Sequence, residues 1–124
     1  MVSTTPAEVT LTAILQRAQA QGVLGARPIA EVLAHARGFV AALPDDAVSV
    51  VDLGSGAGIP GLVIALDRPT LRVTLVDRRA SRVDTLQRAI IALGWADRVV
   101  AVESDAEALS RDTAFQGTFD VVVA

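Results

Sequence analysis

The stretch Val48-Ser-Val-Val-Asp52-Leu-Gly54-Ser-Gly56-Ala-Gly58-Ile-Pro60-Gly61 carries the strongest structural signal in the chain. Val48 to Leu53 is a short, β-branched run suited to a buried strand. The glycines that follow permit positive φ angles and let a ligand approach the backbone closely. Pro60 stands near the first turn of a helix expected over Pro60 to Asp67, where its missing N–H costs little. A strand that passes through such a loop into a helix opens a βαβ unit. In an open α/β sheet the loop lies at the carboxyl end of the first strand, where ligands collect.

On the carboxyl side of this stretch, short apolar runs alternate with helical windows. Arg72 to Val76 reads as a second strand and Ala80 to Leu93 as a helix closed by Gly94. Arg98 to Val102 is a third strand, a short helix surrounds Ala106 to Leu109, and Phe119 to Val123 is a fourth strand. Strands separated by crossover helices imply parallel pairing with right-handed connections, hence an open sheet covered on both faces. Upstream, Pro6 to Gln21 places Val9, Leu11, Ile14, Leu15 and Ala18 at helical spacing, with Thr4 or Thr5 as cap and Gly22 as stop. Ile29 to Leu43 repeats the pattern and ends at the turn signal Pro44-Asp45-Asp46. The expected division is a helical segment over 1–47 and a Rossmann-like domain over 48–124.

Composition narrows the function classes. At 124 residues a single core is expected, and with 3% aromatic residues it must be aliphatic. Neither an apolar run of membrane-spanning length nor a secretory pattern is visible, and cysteine is absent, so the expectation is a cytoplasmic protein without disulfides or thiolate zinc. The lone histidine, His35, sits on an expected helix and reads as a surface or packed residue; no metal site is expected. All 11 basic residues are arginine, against 14 acids, for a formal charge of −3. That balance argues against a strongly basic nucleic-acid module but leaves room for a local basic face. Arg78, Arg79, Arg82 and Arg88 are such a concentration, with a solvated helix face as the plainer reading.

Three acids stand at the ends of three successive strands. Gly56, Gly58 and Gly61 fit the spacing G-x-G-x-x-G, and Asp77 follows 77 − 56 = 21 residues later, as in a dinucleotide site. Asp52 shifts that balance. A carboxylate beside the loop would repel a pyrophosphate, whereas S-adenosylmethionine carries a sulfonium and an α-amino group, both cationic. Asp77 can accept the ribose hydroxyls of an adenosyl group under either reading. Asp105, in Val102-Glu-Ser-Asp-Ala-Glu107, can accept from an adenine amino group while backbone N–H groups near Ala106 meet the ring. The bland alternatives are a loop-capping role for Asp52 and helix N-caps for Asp77 and for Ser104 or Asp105. Trp95 is expected to cover a helix end, and Phe115 and Phe119 to pack.

These residues resemble a known family. Asp52-Leu-Gly-Ser-Gly-Ala-Gly-Ile-Pro-Gly61 is similar to the first motif of the glucose-inhibited division protein B family, the guanine-N7 methyltransferases of bacterial small-subunit ribosomal RNA, and Ile59-Pro60-Gly61 is the specific part. Leu75-Val-Asp77 with Ser81-Arg82 and Leu86 resembles that family's second-strand acid, basic pair and following leucine. Ala106-Glu107 matches its Ala-Glu after the third strand, and Phe119 to Ala124 its next strand. Ser81 departs from the family's usual basic residue, and Asp105 stands where arginine is frequent.

The resemblance implies a Rossmann-like class I methyltransferase fold, with two N-terminal helices and four readable strands of a longer sheet. The later strands are missing, which leaves the fourth strand as an apolar edge open to pairing with a second copy. The implied cofactor is S-adenosylmethionine and the implied partner is 16S ribosomal RNA, methylated at a guanine N7. The expected cofactor-binding set is Asp52, Gly54, Ser55, Gly56, Gly58, Asp77, Arg78, Asp105, Ala106 and Glu107; no catalytic residue is assigned. The competing expectations are a non-catalytic cofactor-binding or assembly module and, third, a nicotinamide-binding oxidoreductase.

Overall fold

A computed structural model describes residues 4–111 and 119–124. Helix α1 (Pro6–Ala20) begins where Thr5 accepts the N–H of Glu8 at 3.2 Å, with Pro6 in the first turn where no N–H is needed. Helix α2 (Ile29–Ala42) follows. Strand β1 (Ser49–Leu53) leads to α3 (Gly61–Asp67), β2 (Arg72–Asp77) to α4 (Ala80–Leu93), and β3 (Val99–Glu103) to α5 (Ala106–Arg111), before β4 (Val121–Val123). Gly94 ends α4 in the left-handed conformation at φ 75°, and its N–H closes onto the carbonyl of Ile91.

The four strands are all parallel, in the order β3-β2-β1-β4. The order places β1 in the interior, so its carboxyl end opens onto the middle of one sheet edge. β4 is an outer strand, as expected, and among the described residues no strand pairs with its far side. It is shorter than the apolar run from Phe119 implied. At its start Asp120 clasps β1: its Oδ2 accepts the N–H groups of Val48 at 2.7 Å and Ser49 at 3.1 Å, while its own N–H donates to the carbonyl of Ser49 at 3.2 Å. Val48 likewise falls outside β1. Phe115 lies outside the described residues.

Alternation along each strand sorts the sheet into two unequal faces. Val50, Val73, Leu75, Val99 and Ala101 point into a continuous core shared with Leu11 and Leu15 of α1, Leu33 and Ala36 of α2, Leu62 and Ile64 of α3, and Leu86 and Ile90 of α4. The two N-terminal helices therefore share one core with the sheet. Each of the buried valine, leucine and isoleucine side chains among them contributes roughly 1.5–3 kcal/mol. On the opposite face, among the described residues, Val51, Val76 and Leu109 form a smaller cluster, with Leu53 and Phe119 against it, while Val100 and Val122 are exposed.

Polar contacts reinforce the helical cover. Arg37 of α2 donates from Nε to Asp67 of α3 at 2.9 Å and from Nη2 to Glu8 of α1. One guanidinium thus ties three helices together. No helix of the described residues is long and apolar enough to cross a membrane.

Candidate functional site

The loop after β1 folds back onto the end of β2. The N–H groups of Gly54 and Ser55 both donate to the carbonyl of Val76, at 2.8 and 2.9 Å, and Gly58 N–H donates to Ser55 O at 2.8 Å. Gly56 sits at φ 57°, a conformation that glycine adopts without steric cost. The Ile59–Pro60 peptide is cis, and Pro60 precedes the first residue of α3.

Asp77 locks this loop from the neighbouring strand. Its Oδ2 accepts the N–H of Gly56 at 3.0 Å and its Oδ1 the N–H of Arg79 at 2.9 Å. The side chain is buried at the carboxyl end of β2. An ionised carboxylate offers about four acceptor positions, so these two bonds leave room for two more donors. The spacing of 21 residues between Gly56 and Asp77 thus corresponds to a direct contact.

Asp52 points the other way. It is 1% exposed, and its Oδ2 accepts the N–H of Gly61 at 3.0 Å. Ser55 donates its hydroxyl to the carbonyl of Asp52 at 3.0 Å. Burial pushes the Asp52 carboxyl up to about 7, partly offset by the hydrogen bonds from Gly61 and Ser55. Through these contacts Asp52 braces the loop. Gly61 is the residue that sequence reasoning left out of the site. A Cβ there would lie 2.8 Å from Asp52 Oδ2 and would also collide with Leu75, so only glycine brings this N–H onto the carboxyl. The signal was present in the Ile-Pro-Gly ending.

The third group follows β3, which pairs with β2 so that Glu103 lies beside Asp77. Ser104 N–H donates to Asp77 O at 3.0 Å, which joins the two loops. Asp105 caps α5: its Oδ1 accepts the N–H of Ala108 at 2.5 Å. Ala106 opens that helix, and Glu107, exposed, pairs with Arg111. Arg78 is exposed beside Asp77. Asp52, Gly54, Ser55, Gly56, Gly58 and Asp77 form one hydrogen-bonded unit across β1 and β2; Asp105 stands on the adjacent loop, with Ala106 and Glu107 in the first turn of α5.

The open side of this unit leaves space beside the loop. A Cβ placed on Gly54 or on Gly56 meets nothing within 4 Å, so both backbones face free space. Beside them stands a carboxylate with unused acceptor capacity. Among the described residues no group of three potential ligands for a metal ion occurs. Elsewhere His35 is exposed and edges onto Phe39, and Trp95 lies buried against the end of α4, under Arg98 at 4.9 Å.

Comparison with known proteins agrees with this geometry. The profile of the GidB family, described as rRNA small subunit methyltransferase G, matches residues 12–124. The protein named ribosomal RNA small subunit methyltransferase G from Nocardioides sp. is 49% identical over 67 residues, which is 54% of this chain and 26% of that protein. Its namesake from Lactococcus lactis is 35% identical over 82 residues, 66% of this chain and 34% of the relative. The matched stretches thus span about a quarter to a third of these relatives. Among solved structures, an O-methyltransferase from Bacillus cereus in complex with SAH superposes with a TM-score of 0.63 at 16% identity, covering 90% of this chain and 49% of that one. The C-terminal domain of precorrin-6Y C5,15-methyltransferase from Rhodobacter capsulatus gives 0.57 at 25% identity, covering 72% and 46%. The fold is that of the Rossmann-like class I methyltransferases. With the profile matched from Thr12 to Ala124, the chain belongs to the GidB family of small-subunit rRNA methyltransferases.

Proposed function

We propose that the protein binds S-adenosylmethionine in the β1–β2 loop unit and takes part in methyl transfer to a guanine N7 of 16S ribosomal RNA. The observation that carries the cofactor half is Asp77: a buried carboxylate joined to Gly56 N–H, with acceptor positions left over beside two open glycine backbones. Family membership supports the RNA half. In this reading Asp77 accepts the ribose hydroxyls, and the loop from Gly54 through Ser55 and Gly56 to Gly58 admits the methionine end. Asp52 holds that loop in shape through Gly61. Asp105 and the backbone at Ala106 border the adenine, flanked by Glu107, while Arg78 lies at the outer rim.

The bound cofactor supplies an electrophilic methyl group on a sulfonium. Guanine N7 carries a lone pair and no proton, so the chain has no proton to remove, and positioning carries the rate. That agrees with a site built of backbone and carboxylates, without a histidine nearby. A cytoplasmic location accompanies an rRNA substrate. Pairing with a second copy is part of this reading, and the oligomeric state in solution tests it.

Transfer of labelled methyl from S-adenosylmethionine to small-subunit rRNA tests the proposal. Mass spectrometry of digested rRNA, treated with wild type or Asp77→Ala, reads 7-methylguanosine. Label that appears with wild type and is lost with the variant supports the enzyme. Cofactor binding without any label would make the chain a binding module.

A further inference from the structure

A second feature adjoins the loop on its outer side. The cleft between α1 and α4 has a volume of about 190 Å³ and is lined by Arg17 of α1, by Arg82 and Arg88 of α4, and by Gly56 of the loop, over an apolar floor that includes Leu86 and Ala89. Among the described residues no carboxylate lines it, although acids outnumber arginines in the chain, 14 to 11. Arg88 pairs with Asp84 one turn before it, an exposed contact of little energetic weight. Among the described residues Arg17 and Arg82 make no ion pair. The first turn of α4 holds no acid to offset Arg82.

Arg17 and Arg82 face one cleft with no ion-pair partner among the described residues, and like charges brought together repel, so an anion between them is favoured. A guanidinium presents its N–H groups as a planar fork that matches phosphate oxygens. The apolar floor suits a sugar or base face attached to that phosphate. Gly56 belongs to both the cleft and the loop, so an anion gripped here is anchored beside the proposed cofactor site.

We infer that this cleft grips a phosphodiester of the RNA backbone, with Arg17 and Arg82 as its principal ligands and Arg88 at the rim. The inference rests on the rRNA reading above. Such contacts set the register of the RNA and carry no base preference.

The test measures the affinity of the protein for a small-subunit rRNA fragment across salt concentrations, for wild type, the double variant Arg17→Gln/Arg82→Gln and the charge-retaining Arg17→Lys/Arg82→Lys. S-adenosylhomocysteine titration and thermal unfolding check that each variant is folded. Loss of the one phosphate contact flattens the slope of log affinity against log salt by about 0.7 on a single strand and about 0.9 on a duplex. The lysine pair keeps most of the slope, and affinity falls to a similar extent for unrelated RNA sequences. If wild type binds the RNA and the folded glutamine variant binds it with the same affinity and slope, the cleft assignment is wrong while the rRNA reading stands. If wild type shows no salt-dependent RNA binding, the rRNA reading fails and the cleft assignment falls with it.

Discussion

Replacing Asp52 by asparagine separates a brace from a charge. The carboxyl is 1% exposed, holds Gly61 N–H at 3.0 Å and is pushed by burial from the ordinary 3.8 up to about 7. The folded protein holds this proton more tightly than the unfolded chain does, so unfolding releases it. Stability from this group is therefore greatest in acid and falls as pH rises from about 4 to about 7. At ~1.4 kcal/mol for each tenfold change in proton affinity, the decline amounts to ~4 kcal/mol, an order-of-magnitude figure. Asparagine keeps an oxygen for Gly61 N–H and carries no charge. Urea unfolding of wild type and Asp52→Asn at matched pH values isolates the effect, because other titrating groups cancel in the difference. The variant's advantage should grow by a few kcal/mol between about pH 4 and pH 8. Asp52→Ala should be less stable than Asp52→Asn at every pH, by roughly 1–3 kcal/mol for the orphaned Gly61 N–H. A flat difference across that range would refute the buried-brace reasoning, and an opposite slope would show that the ionised form is the one the fold holds.

Three further outcomes follow from the packing. Gly61→Ala drives a methyl group against Leu75 and to within 2.8 Å of Asp52 Oδ2, and should lower stability by ~1–3 kcal/mol in thermal or urea unfolding. Arg37→Ala removes the link among Glu8, Asp67 and α2; because the side chain is 41% exposed, the loss should be ~1 kcal/mol and shrink in high salt. Asp105→Ala should destabilise by ~1 kcal/mol through loss of the α5 cap, and Asp105→Asn should restore most of it.

Much of this architecture is local and so visible in the residues. Thr5 and Gly94 bound their helices because capping depends on neighbours a few positions away, and the β-branched runs at β1 to β3 declare themselves by their composition. The glycine spacing and the acids at strand ends likewise marked the candidate site, and the contact of Gly56 with Asp77 accounts for the spacing of those two residues. What escaped depends on direction and on distant partners. Asp52 is an acid at a strand end whichever way it points; its inward turn is set by Gly61, nine residues on, and by the packing of Leu75. The Arg37 bridge joins residues 29 and 30 positions apart, and the Asp120 clasp reaches across 72, beyond any periodicity. The arginines of α4 read as a solvated helix face until α1 supplied Arg17 as the opposite wall of the cleft.

Cofactor binding by the β1–β2 loop unit is open to direct measurement by calorimetric titration with S-adenosylhomocysteine, run beside NAD. Wild type should bind S-adenosylhomocysteine saturably and NAD not at all. Asp77→Ala should bind it at least ~10-fold more weakly, since a hydrogen bond to a charged group is worth ~1.5 kcal/mol or more. Absence of S-adenosylhomocysteine binding by wild type, or undiminished binding by Asp77→Ala, would contradict the assignment of this loop as the cofactor site.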